Sequence, residues 1–121
     1  MKQSRPIYLD LLRIRQPLPA LISLMHRISG VLLFLAIPLM LIALQESLAS
    51  AERFNFLLNS SGFRLALFFL FLAYAYHFFA GLRFLSMDLH WGTALKSARR
   101  SSWAVLSASV LFILLLGIWL W

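Results

Sequence analysis

The sequence predicts an all-α membrane protein: three transmembrane helices, N-terminus cytoplasmic, forming part of a larger hetero-oligomeric helix bundle. Composition is the first ground. Of the 121 residues, 62% are hydrophobic and 12% charged, against roughly 45–50% and 25% in an ordinary soluble domain. The second is the length of the apolar blocks. A bilayer core about 30 Å thick takes about 20 helical residues to cross, and three blocks qualify, from about Leu21 to Leu44, Phe63 to Met87 and Ser102 to Trp121. The third is where the charges fall. Lys2, Arg5, Arg13, Arg15 and Arg27 precede or enter the first block, and Arg83, Lys96, Arg99 and Arg100 stand between the second and third. The connection between the first two blocks has Arg53 and Arg64 accompanied by Glu46 and Glu52, and nothing charged follows Arg100. The positive-inside rule then puts the N-terminus and the second connection in the cytoplasm and the C-terminus on the far side. The formal charge of +7 therefore brackets the apolar blocks instead of lining one face, and it reads as membrane topology, with no nucleic-acid partner.

The chain divides into a cytoplasmic or interfacial segment, residues 1–20, and a three-helix membrane unit, residues 21–121. In the first segment Pro6, Pro17 and Pro19 disfavour a continuous helix up to the first span, and the run from Pro6 to Arg13 suits an amphipathic anchor on the membrane surface. A signal peptide is not expected, because a polar tail of about 20 residues precedes an apolar block longer than a 7–15-residue h-region. The tail is also short and poor in serine for a transit peptide, which favours a bacterial inner membrane. The first span carries Ser23, His26 and Arg27 in its opening turns and Pro38 further along; the proline removes one backbone donor and is expected to bend the helix. The second span holds His77 within Leu65–Leu82, a stretch free of Asp, Glu, Lys and Arg. The third is Leu-rich without ionisable groups and is expected to serve packing. Trp91, Trp103, Trp119 and Trp121 fall near span ends, where amphipathic indoles are favoured. With no cysteine in the chain, disulfides, iron–sulfur clusters held by this chain and thiolate ligation are excluded, and any redox metal must use histidine.

His77 is the centre of the functional reading. An imidazole in hydrocarbon needs a protein interior, a water path or a metal. His77, Gly81, Phe84 and Asp88 share one helical stripe, and eleven residues at about 1.5 Å each set His77 about 16 Å from the Asp88 end, near the bilayer midplane. A haem b is the most economical ligand: apolar rings for the hydrocarbon, iron for the imidazole, and propionates for cations nearer the surface. Gly81 would make room for the macrocycle, with Arg27, His26 and Arg83 toward the propionates. Arg27 and Arg83 are expected either to reach the interface or to pair with an anion. His26 and His90 both lie near the cytoplasmic boundary on this reading, so the second axial ligand would come from another polypeptide. A structural hydrogen bond to a neighbouring helix is the alternative for His77, and snorkelling the alternative for Arg83. Ser23 and Arg27, one turn apart, supply a hydroxyl and a guanidinium that suit a ubiquinone head group, or else a helix start and a surface anchor.

Three motifs are more specific. Arg5-Pro-Ile-Tyr-Leu-Asp-Leu, Ser23-Leu-Met-His26-Arg27-Ile-Ser-Gly30, and His77-Phe-Phe-Ala-Gly81-Leu-Arg83 followed by Asp88 resemble the cytochrome b556 membrane anchors of succinate dehydrogenase, respiratory complex II. The resemblance implies a four-subunit complex in which a flavoprotein oxidises succinate, an iron–sulfur subunit relays electrons and two membrane anchors hold both, this chain being the larger anchor and not an enzyme alone. It implies His77 as an axial haem ligand, Ser23 and Arg27 in the ubiquinone site, His26 and Arg83 beside the haem propionates, and a second axial histidine from the other anchor. One departure stands out, since the family commonly continues the last motif with His where Phe84 follows Arg83 here; His90, one and a half turns on, is the residue available to compensate. The rival readings are a fumarate reductase anchor, running the same couple in reverse, a small transporter or channel subunit using His77 as a proton relay, and a purely structural assembly factor.

Overall fold

The computed structural model describes residues 15–120; the expected surface segment Pro6–Arg13, the cations Lys2, Arg5 and Arg13, and Trp121 lie outside them. Four helices follow in order: α1 Leu18–Ala49, α2 Ala51–Asn59, α3 Ser61–Asp88 and α4 Leu95–Leu120. Three of them, α1, α3 and α4, are long and apolar enough to cross a bilayer. The chain is a multi-pass membrane protein.

Each helix continues past its apolar block for a local reason. α1 starts at Leu18 because Pro17 takes the N-cap position in an extended conformation and Pro19 falls in the first turn, where the missing proline N–H has no intrahelical partner to lose. Pro19 thus sits inside the helix it was expected to hold off. Pro38 lies inside α1. The connection after α1 is also helical. Ser50 breaks from α1 in an extended conformation and its hydroxyl accepts from the Arg53 backbone N–H at 3.2 Å, capping α2. Ser60 repeats the device for α3, accepting from the N–H of Phe63 at 3.5 Å. Around this end Arg53 pairs with Glu46 at 2.7 Å and Arg64 donates to the Leu58 carbonyl.

α3 is the central helix, packing on both α4 and α1. It ends in a Schellman turn. The Trp91 N–H donates to Ser86 O at 3.0 Å and the His90 N–H to Met87 O at 2.9 Å, with His90 left-handed at φ 64°. Gly92 follows at φ 73°, and α4 begins after only six residues. Ala98, Ser102 and Ser109 are small enough to let α4 approach α3, and with Val105 and Ile113 they are buried at spacings of four, three, four and four, one stripe of a helix. Ser102 and Ser109 return their hydroxyls to the carbonyls of Ala98 and Val105, at 2.7 and 2.8 Å, so no orphan polar group results. A small core of Ile22, Ala80 and Val105, one residue from each spanning helix, ties the three together.

Candidate functional site

α1 and α3 meet at two cross-helix links. Tyr76 Oη donates to the carbonyl oxygen of Ile22 at 2.9 Å, and Ile22 is only 2% exposed. One position along α3, His77 Nδ1 stands 3.2 Å from the carbonyl oxygen of His26 and 3.1 Å from Ser29 Oγ. Ser29, 6% exposed, spends its own proton on that same His26 carbonyl at 2.8 Å. One tautomer satisfies all three contacts at once. A carbonyl oxygen can only accept, and the serine proton is committed to it, so Nδ1 carries hydrogen and the His77 lone pair is on Nε2. His77 Nε2 makes no hydrogen bond among the described residues. An imidazole pinned by its Nδ1–H to a carbonyl or hydroxyl, with Nε2 open, is the arrangement seen in metal-ligating histidines.

His26 lies flat on His77, ring centroids 4.1 Å apart and planes 9° from parallel. The expectation that His26 sits near the boundary and His77 deep is therefore corrected: the two share one depth. The reason is the early start of α1, which puts His26 eight residues, about 12 Å, inside the helix. His26 nevertheless does not complete a ligand pair with His77. Two imidazoles on one iron approach nitrogen-first from opposite sides, whereas these overlap face to face. His26 Nε2 is buried with no hydrogen-bond partner among the described residues, and it lies against Gly81, where an added Cβ would stand 3.5 Å away.

Phe84 packs its ring on His26 at 5.2 Å between centroids and carries the guanidinium of Arg83 5.2 Å from its own centroid. An aromatic at this position thus contacts both His26 and Arg83. Arg83 itself is turned inward. It is 6% exposed and turned to α4, where Nε donates to Ser101 Oγ at 2.9 Å and Nη2 to Ala98 O at 3.4 Å; Nη1 is buried without a partner among the described residues. Instead of snorkelling outward, Arg83 makes hydrogen bonds across α3 and α4. The two remaining candidates stay open. Ser23 is half-buried and Arg27 exposed, and neither makes a hydrogen bond or ion pair among the described residues. His90 is exposed, in the turn beyond α3.

An apolar groove of about 610 Å³ runs between α1 and α3 from Gly30 toward the α2 end, lined among others by Phe34, Ile37, Phe71 and Tyr74. That volume falls within the roughly 300–1,000 Å³ of small-molecule and cofactor sites. The family model described as succinate dehydrogenase/fumarate reductase transmembrane subunit matches residues 1–116. The chain belongs to this family. It is similar to the succinate dehydrogenase cytochrome b556 subunit of Coxiella burnetii (strain RSA 493 / Nine Mile phase I), 39% identical over 125 residues spanning 100% of both chains. Within the family motif of α1, sequence reasoning passed over Ser29 and Gly30. The signal was present: a hydroxyl and a glycine three and four residues after His26 lie on its helix face. An added Cβ at Gly30 would stand 3.0 Å from His77 Cε1, tighter than ordinary packing allows.

Proposed function

We propose that this chain is the membrane anchor of a bacterial succinate:ubiquinone oxidoreductase, lying in the inner membrane with its arginine-rich end cytoplasmic. On this reading it docks an iron–sulfur subunit and a flavoprotein, pairs with a second membrane-anchor subunit, holds half of a haem b and contributes to the ubiquinone site. Family membership supports the anchor role. The observation that carries the cofactor reading is His77, whose Nδ1–H is held by Ser29 Oγ and the His26 carbonyl while Nε2 keeps its lone pair.

The residues fit a haem b on further counts. The orphaned, buried Nε2 of His26 needs an acceptor or donor that the described residues do not provide, and a propionate is one. Arg83 Nη1 is also buried without a partner among the described residues, so His26 and Arg83 would both be available to the propionates. Gly30 gives His77 its clearance, and the groove below is apolar. A haem b held at His77 supplies a one-electron redox centre. His77 would hold the group through Nε2, the second anchor would supply the other histidine, and Phe84, packed on His26, would keep that ring in place. Ser23 and Arg27, unpartnered at the basic end of α1, offer a hydroxyl and a permanent cation to the quinone oxygens. The direction of the couple is set by the partner redox centres and the quinone; the same residues serve a fumarate reductase.

Reduced-minus-oxidised spectra of the assembled complex test the reading, wild type against His77→Ala. A b-type α-band lost or shifted in the variant is the expected result. A fully assembled wild-type complex without that band sinks the haem assignment.

A further inference from the structure

Ser29 holds no place in the reading above beyond its contact, yet its geometry gives it a task. The His26 carbonyl oxygen has two lone pairs. One accepts the Gly30 backbone N–H, the ordinary i to i−4 bond of the continuous helix α1. The other accepts the Ser29 hydroxyl at 2.8 Å, the shortest of the three contacts. The carbonyl is thereby already shared by two donors when His77 Nδ1–H reaches it at 3.2 Å, and the acceptor with a lone pair wholly free is Ser29 Oγ, at 3.1 Å. Donation by Ser29 to the carbonyl polarises its oxygen and strengthens it as an acceptor. Ser29 is also 6% exposed, so water does not compete for the bond.

We propose that Ser29 is a positioning residue for the haem iron: its hydroxyl relays between the His26 carbonyl and His77 Nδ1–H, fixing the imidazole's orientation and raising the basicity of the ligating nitrogen. The proposal rests on haem ligation by His77. A histidine whose far N–H is well accepted is the stronger donor to its metal, and a stronger donor favours the oxidised iron. Ser29 therefore holds the haem potential low. Removing the hydroxyl takes away the polarised acceptor at 3.1 Å and leaves His77 only the longer contact to the His26 carbonyl at 3.2 Å, and the potential rises.

The test uses the whole complex, with wild type, Ser29→Ala, Ser29→Cys and Ser29→Thr compared by redox titration of the haem and by low-temperature electron paramagnetic resonance of its oxidised form. Ser29→Ala is expected to raise the midpoint potential and move the g-values, Ser29→Cys to do so less, and Ser29→Thr to return both toward wild type. If Ser29→Ala does not assemble, Ser29→Cys against Ser29→Thr carries the same comparison. A wild-type b-type spectrum with unchanged potential and g-values in Ser29→Ala and Ser29→Cys overturns this proposal and leaves His77 ligation standing. Shifts in Ser29→Thr as large as in Ser29→Ala also overturn it, because side-chain bulk and not the hydroxyl would then be responsible. Absence of the b-type spectrum from assembled wild type overturns both readings.

Discussion

Gly30 shows how one missing methyl sets the geometry of a buried site. In an exposed helix interior, alanine is about 1 kcal/mol better than glycine, so Gly30→Ala would ordinarily stabilise α1. Here the new Cβ would meet His77 Cε1 at 3.0 Å and Nδ1 at 3.5 Å, and the imidazole is already pinned at that Nδ1. Gly30→Ala is expected to lower haem content several-fold while α1 still inserts, read as haem per complex against subunit yield. Ser23 and Arg27 make the opposite kind of prediction, since nothing among the described residues depends on them. Ser23→Ala and Arg27→Ala should leave succinate oxidation by an artificial dye intact and depress quinone reduction. For Arg27 the loss should be about tenfold or more, because a hydrogen bond from a charged donor is worth about 1.5–3 kcal/mol. Equal loss of both activities would mean failed assembly instead. At this scale type and spacing pointed to His77, His26, Ser23 and Arg27 as the candidates, and the structure brings the two histidines together. The sequence did not show the direction of Arg83, since a cation near a span end can turn outward to water or inward to hydroxyls, and only Ser101 and Ala98 on another helix decide.

The helices were legible from the runs without charge, and their ends were not. The apolar count cannot see that Pro19 is harmless in a first turn, nor that Ser50 and Ser60 each stop one helix and cap the next. α2 escaped notice because a nine-residue polar-flanked stretch has neither the length of a span nor the turn residues of a loop. Leucine content marked α4 as a packing element, but the surface doing the packing is its small residues. Ser102 is fully buried at 0% exposure, with its hydroxyl satisfied within its own helix. Ser102→Ala should therefore change little. Ser102→Leu should force α3 and α4 apart, costing about 1–3 kcal/mol as overpacking does, and appear as a lower melting temperature of the detergent-solubilised complex with unchanged expression.

Over the whole molecule, α3 packs on both neighbours while α1 leaves most of its apolar length exposed, from Leu21 to Leu48. For a member of a transmembrane-subunit family, that surface is open to lipid or to another subunit. The tight six-residue turn after α3 and the small-residue stripe behind it have a consequence for biogenesis. They make α3 and α4 a hairpin whose two helices can enter the bilayer together, with α1 arriving as an independent span and docking through Tyr76 on Ile22 and His77 on Ser29 and His26. Transmembrane helices that are each stable alone associate without needing a covalent link. A chain cut within α2 and co-expressed as two fragments, residues 1–55 and 56–121, is therefore expected to re-form the complex, measured as co-purification of both fragments. The same cut in the turn between Asp88 and Leu95 should be tolerated less well, because the unit that enters the membrane as one would then have to find itself within it.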